Sequence, residues 1–169
     1  MKTKLAIITL LFSFFGFAQK EVIDAFSEKW TNSKVYLIEI AKAMPEEFYD
    51  FKPTEREMSF KEQLLHIKEN MDWLSNSYFT KNKFEKKKNN TSYSKDEVIS
   101  MLEVSFDKCN EIIKNTNPKS LQEKVNFFAG EKTKLQILNL LQDHVTHHRG
   151  QLIVYLNLKQ ITPPKYVGW

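Results

Sequence analysis

The sequence predicts an all-α protein, a four-helix bundle, and three observations lead to this prediction. Four segments carry apolar side chains at spacings of three and four residues, which places them on one face of a helix. Capping boxes of the form Ser/Thr-x-x-Glu/Gln precede three of the segments. Glycine and proline are scarce, with four and five among 169 residues, and no segment alternates as a strand does. A chain of this length can bury the core of one domain.

The three capping boxes and one proline set the predicted bounds of the four helices. Pro45 ends the first helix, because proline disfavours helical geometry in the residue before it. The stretch from residue 115 to residue 130 is predicted to be irregular. Its apolar run, residues 125–129, is expected to lie as an extended strip on the bundle, at the end that carries the candidate metal site. The predicted helices run from about Glu21 to Ala43, from Ser59 to about Phe79, from Ser94 to about Lys114 and from Thr133 to about Leu158.

The first 18 residues are predicted to be a secretory signal peptide. Lys2 and Lys4 form a basic start, residues 5–17 are an apolar run, and Gly16 and Ala18 are the small residues before a cut at Gln19. The run is short for a membrane span, although a retained anchor is the alternative. Residues 19–169 should then form the mature domain, in the periplasm or outside the cell, with no stable membrane span.

Charge and cysteine content indicate no further partner. Loss of Lys2 and Lys4 with the signal peptide lowers the formal net charge from +4 to +2. The basic run from Lys81 to Lys88 is interpreted as a solvated loop, and nucleic-acid binding is not predicted because no aromatic platform or reading helix accompanies it. Cys109 has no second cysteine to pair with, so it is expected to be a small buried apolar residue.

Three of the four histidines lie together in the last helix. His144 and His148 are four residues apart on its apolar stripe, so their imidazoles project from adjacent turns, a spacing found in helical zinc sites. His66, on helix 2, is the one histidine outside this stretch and the candidate for a third ligand. The alternative is that these are core histidines bonded to their neighbours. His147 points about 100° away from His148 and is expected at the rim of the site.

Four stretches of the chain resemble the DinB family of four-helix metal-binding proteins, and together they cover essentially all of the predicted mature chain. Residues 44–54, Met-Pro-Glu-Glu-Phe-Tyr-Asp-Phe-Lys-Pro-Thr, are similar to the connection between the first two helices of that family. Residues 59–67, Ser-Phe-Lys-Glu-Gln-Leu-Leu-His-Ile, are similar to its first ligand helix. Residues 144–151 are similar to its H-x-x-x-H-R-G-Q segment, and the Pro163–Trp169 tail also matches.

The resemblance implies that His66, His144 and His148 are the three ligands of one divalent metal ion. Zinc or nickel is implied first, with iron or manganese as alternatives. Homodimers are common in the family, and some relatives are thiol transferases or isomerases that use bacillithiol or mycothiol. Because those thiols are cytoplasmic and this chain is predicted to be exported, the export prediction argues against carrying that reaction over.

Three interpretations of function remain open from the sequence. The first is a metal-dependent enzyme, a hydrolase or a thiol-transferase-like protein acting on an unidentified small molecule, because three imidazoles leave a coordination position open. The second is a non-catalytic metal-binding or stress-related envelope protein, and the third is a helical interaction module with a structural metal. Metal binding is expected to weaken as the pH falls through about 6.5, the reference histidine pKa.

Four polar residues near the histidines have open roles, and no catalytic residue is assigned. Asp143 is either a surface residue or a partner that holds an imidazole N–H. Glu62 is either a capping residue or a general base or fourth ligand. Arg149 and Gln151 either contact substrate or pack the helices together.

Overall fold

The computed structural model describes residues 2–82, 84–85 and 93–169, with side chains described from Lys20 onward. Within this part of the chain the protein is a bundle of four α-helices, as the sequence predicted. Four of the five lysines of the predicted basic run, Lys83 and residues 86–88, lie outside the described residues, and Lys81 is exposed. The helices are α1 Lys2–Ala43, α2 Phe60–Phe79, α3 Lys95–Lys114 and α4 Lys134–Leu158.

The three predicted capping boxes are present, and each begins a helix. Ser59, Ser94 and Thr133 occupy the cap positions of α2, α3 and α4, and each side chain accepts a hydrogen bond from the backbone N–H three residues later. The Glu or Gln at that third position accepts one in return from the cap residue's backbone N–H. Two backbone donors that have no partner within the helix are thereby satisfied at each start, which explains why these bounds could be predicted closely.

The first helix differs from its prediction at one end. α1 ends at Ala43 as expected but begins at Lys2 rather than near Glu21. The apolar run before Gln19 contains no proline, the residue that most strongly disfavours a helix interior. No helix within the described part of the chain is long and apolar enough to cross a membrane.

Packing in the bundle places α2 beside α4. The main helix contacts run from α1 to α3, from α3 to α2, from α2 to α4 and from α4 back to α1. Trp30 of α1 is buried at the centre, where its ring stacks on Phe26 and contacts Phe106 of α3. Cys109 of α3 is also buried, and burial raises the pKa of its thiol, as expected for a packing residue. The groove between α2 and α4 brings His66 to the two histidines of α4.

The connection between α3 and α4 is more regular than predicted. A short 3-10 helix, Pro118–Gln122, is followed by an antiparallel pair of two-residue strands, β1 Lys124–Val125 and β2 Lys132–Thr133. The sequence offered no hairpin signal, because the strands are too short to alternate. Gly130 allows the backbone to turn between the two strands. Its φ of 92° lies in the left-handed region that favours glycine, and its N–H donates to the carbonyl of Phe127 at 3.0 Å.

Candidate metal centre

Three histidines from two helices converge in the groove between α2 and α4. His66 comes from α2, and His144 and His148 come from adjacent turns of α4. The ring centroids are 4.8 Å apart for His66 and His144, 4.7 Å for His66 and His148, and 4.4 Å for His144 and His148. One ring nitrogen of each residue lies within 4.8 Å of the others. The structure therefore brings together the three predicted ligands.

The spacing of the nitrogens fits a shared divalent ion. The Nε2 atoms of His66 and His144 are 3.1 Å apart. Two nitrogens bound to one tetrahedral zinc, each at about 2.0–2.1 Å, are separated by about 3.3–3.4 Å. This pair would need only a small adjustment to bind one ion, and the ligand nitrogen of His148 lies within 4.8 Å of both. Within the described residues, this three-histidine group could hold a metal ion.

Burial keeps the two histidines of α4 neutral. The pKa of His144 is lowered from 6.5 to about 3, first by burial and then by the charges that His148, His66 and His147 would carry. The pKa of His148 is lowered to about 4, first by burial and then by His66 and His147. A neutral imidazole offers a lone pair, whereas a protonated one does not, so both residues are ready to bind a metal at neutral pH.

Two amide oxygens hold the outer nitrogen of His148. Its Nδ1 lies 2.5 Å from Oε1 of Gln63 on α2 and 3.1 Å from Oε1 of Gln151 on α4. Since amide oxygens accept hydrogen bonds, Nδ1 carries the proton and Nε2 is left as the lone-pair atom. An outer hydrogen bond of this kind commonly orients a metal-binding histidine. Gln151 therefore contacts the His148 imidazole directly. This contact gives a role to one of the four polar residues whose roles the sequence left open.

Gln63 was missed by the sequence reading. It lies three residues before His66 and is 1% exposed. The available signal was its position, since it is three residues after Phe60 and four before Ile67 and so shares their buried face. A polar side chain on a buried face requires a hydrogen-bond partner, and here that partner is His148.

The remaining predicted neighbours lie outside the cluster. His147 and Asp143 are exposed, in agreement with the rim and surface interpretations. Glu62 serves the capping box: its Oε2 accepts from the Ser59 backbone N–H at 2.6 Å, and this bond, followed by Lys52, lowers the pKa of the carboxyl.

Arg149 packs α4 against α1. Its side chain is buried, and Nη1 donates to Oγ of Ser33 at 3.2 Å. The guanidinium lies over the Tyr36 ring, 5.1 Å from its centroid. Burial lowers its pKa. These contacts favour the packing role over a substrate contact.

A cavity of about 180 Å³ opens beside His66. Asn70 and Trp73, one and two turns further along α2, form part of its wall together with Glu69 and Phe84. The Trp73 ring stacks on Phe127, with centroids 5.8 Å apart and an interplanar angle of 20°. Phe127, from the predicted apolar strip, therefore packs on the face of α2 that carries His66, two turns further along the helix.

The four-helix fold and the histidine cluster together make this protein a helical bundle with a candidate metal site between two of its helices. The chain belongs to the DinB family, whose family model matches residues 18–166. A DinB-like protein from Bacillus subtilis is similar in structure, with 19% identity, a TM-score of 0.71 and coverage of 84% of this chain and 96% of that one. A DinB-like protein from Bacillus cereus has 18% identity, a TM-score of 0.75 and coverage of 85% and 97%. At these identities the two structures show the fold alone. No curated protein matches the chain.

Proposed function

We propose that the protein binds one divalent metal ion through His66, His144 and His148. One observation carries the proposal: His66, which is 78 positions before His144 in the sequence, meets His144 and His148 in one groove, with the Nε2 atoms of His66 and His144 3.1 Å apart. Burial disfavours protons at His144 and His148, so an ion meets little competition there at neutral pH. Zinc or nickel suits an all-imidazole donor set, and iron or manganese are the alternatives.

We further propose that the site is catalytic, in an enzyme of the hydrolase or thiol-transferase kind. Within the described residues, the cluster contains three ligands and no fourth His, Cys, Asp or Glu. Catalytic zinc sites typically have three protein ligands and keep a position open for water or substrate. A bound ion would polarise a substrate or make a water or thiol more acidic. The cavity beside His66, walled by Asn70 and Trp73, gives a small molecule access to that side of the cluster.

Metal analysis followed by an activity screen tests both steps. The protein is purified without added metal, analysed by elemental mass spectrometry, and screened with ester, amide and thiol substrates. We expect about one ion per chain and turnover in one substrate class, with both lost in His144→Ala and kept in His147→Ala. Metal content that is equal in the wild type and His144→Ala would contradict the site. Stoichiometric metal without turnover would favour the non-catalytic envelope protein.

Export of the mature chain is a separate proposal. It is supported by the basic start, the apolar run and the Gly-x-Ala cut site, and the family match beginning at residue 18 agrees with a domain that starts there. Mass spectrometry of the protein from its native host should find a peptide that begins at Gln19, outside the cytoplasm. An intact Met1 terminus in the cytoplasmic fraction would refute export. Homodimer formation stays a prediction from the family resemblance.

A further inference from the structure

We propose that Tyr155 and Gln63 form a one-directional hydrogen-bond chain that fixes the tautomer of His148. The proposal rests on the metal-binding function above, because it concerns which nitrogen of His148 is offered to the ion. Tyr155, Gln63 and His148 are 3%, 1% and 6% exposed, so water does not compete for their polar atoms. Tyr155 and Gln63 are positioning residues that act on the metal site through His148.

The direction of the hydrogen-bond chain is set by a backbone carbonyl at its first end. The Tyr155 hydroxyl lies 2.6 Å from the carbonyl oxygen of Met58, just before the cap of α2. A carbonyl oxygen can only accept, so the hydroxyl must donate its single proton to it. The hydroxyl oxygen then faces its other neighbour as an acceptor.

That neighbour is the amide of Gln63. Its Nε2 lies 3.5 Å from the Tyr155 hydroxyl oxygen, a long contact in which the amide N–H is the donor. With the NH₂ group turned towards Tyr155, the amide oxygen faces His148 Nδ1 at 2.5 Å. An amide turned the other way would place an N–H against Nδ1 and would select the opposite tautomer.

This hydrogen-bond chain determines which nitrogen of His148 presents a lone pair to the histidine cluster. With Nδ1 holding the proton, the Nε2 atom of His148 is unprotonated and available to the ion. Gln151 also accepts from Nδ1, but it is only half-buried and its amide contacts the exposed His147 as well. The buried pair Tyr155 and Gln63, rather than Gln151, therefore fixes which nitrogen of His148 carries the proton.

Nitrogen NMR of the metal-free protein tests the chain directly. In ¹⁵N-histidine-labelled protein at neutral pH, the wild type should show His148 as the Nδ1–H tautomer alone. Tyr155→Phe keeps the ring, which packs against Phe51 and Phe60, and removes only the hydroxyl. We expect a mixture of tautomers in this variant. Zinc affinity should fall by about tenfold, the lower end of the 10–100-fold range for outer partners of metal ligands. Gln63→Leu, at the other end of the chain, should also give a mixture.

A matched tyrosine variant and a rescue variant distinguish this positioning role from a general effect on stability. Tyr49 is also buried, and its hydroxyl also donates to a backbone carbonyl, that of Ala41 at 2.8 Å. Tyr49→Phe should therefore leave the His148 tautomer unchanged. Gln63→Glu supplies, when ionised, an acceptor whatever its orientation, so Nδ1 of His148 should keep its proton when Tyr155→Phe is added.

Two results would overturn the chain: a single Nδ1–H tautomer retained in both Tyr155→Phe and Gln63→Leu, or an equal response to Tyr49→Phe. The metal proposal fails separately. A tautomer that responds as expected, in a protein whose zinc affinity does not depend on His148, would support the chain and refute the ligand assignment.

Discussion

Replacing His148 with alanine is expected to lower the affinity for zinc more than about 100-fold, beyond the range seen for outer partners. The variant keeps His66 and His144, and two of the three ligand nitrogens cannot complete the site. His66→Ala and His144→Ala should have effects of the same size, because each removes one of three ligands. Competition titration with a zinc indicator measures the three losses on one scale.

His147→Ala is the matched control for these variants. His147 is adjacent to His148 in the sequence and its ring is 4.9 Å away, but its side chain is exposed. It should change the zinc affinity little, and Asp143→Ala, also exposed, should behave in the same way. A loss in His147→Ala as large as that in His148→Ala would show that the ligand assignment is wrong.

The metal-free protein is expected to lose stability steadily as the pH falls below about 6.5, the unperturbed histidine pKa. Burial, followed by the neighbouring histidines, lowers the pKa of His144 to about 3 and that of His148 to about 4 in the folded state. Between those values and 6.5 the unfolded chain binds protons that the folded chain does not bind. The free energy of unfolding therefore decreases as the pH falls through this window, and the decrease ends once the folded state is protonated too.

Urea unfolding of the metal-free protein between about pH 7 and pH 4 measures this dependence. His144→Gln removes one of the depressed groups and should have a shallower dependence on pH, whereas His147→Ala removes only a minor cause of the shifts and should stay close to the wild type. Equal slopes in the wild type and His144→Gln would contradict the prediction. The same shifts lower the pH at which protons compete with the metal at these two residues, from the 6.5 expected from sequence towards about 4.

The fold could be predicted because its signals are local. Each capping box spans four residues, and the three that are present begin α2, α3 and α4. The pairing of His144 with His148 is equally local, since one helical turn separates them. His66 was identified as the one remaining histidine and through the family resemblance, and its place beside α4 follows from the bundle packing.

The two features that were missed cannot be recognised from a periodic pattern of residues. Gln63 and His148 are 85 positions apart, and no spacing within α2 indicates which side chain Gln63 meets. The hairpin before α4 depends on two pairs of residues and on the left-handed conformation of Gly130, which is too little sequence for a periodic pattern.

The 78 positions that separate His66 from His144 have a consequence for the order of assembly. His66 is synthesised long before α4, so the three-nitrogen site cannot exist until the last helix has joined the bundle. An ion bound there would close a long loop and stabilise the folded chain in proportion to the logarithm of its free concentration. A chain that crosses a membrane unfolded would then acquire its metal at its destination, and the supply of ions in that compartment would decide which metal it carries.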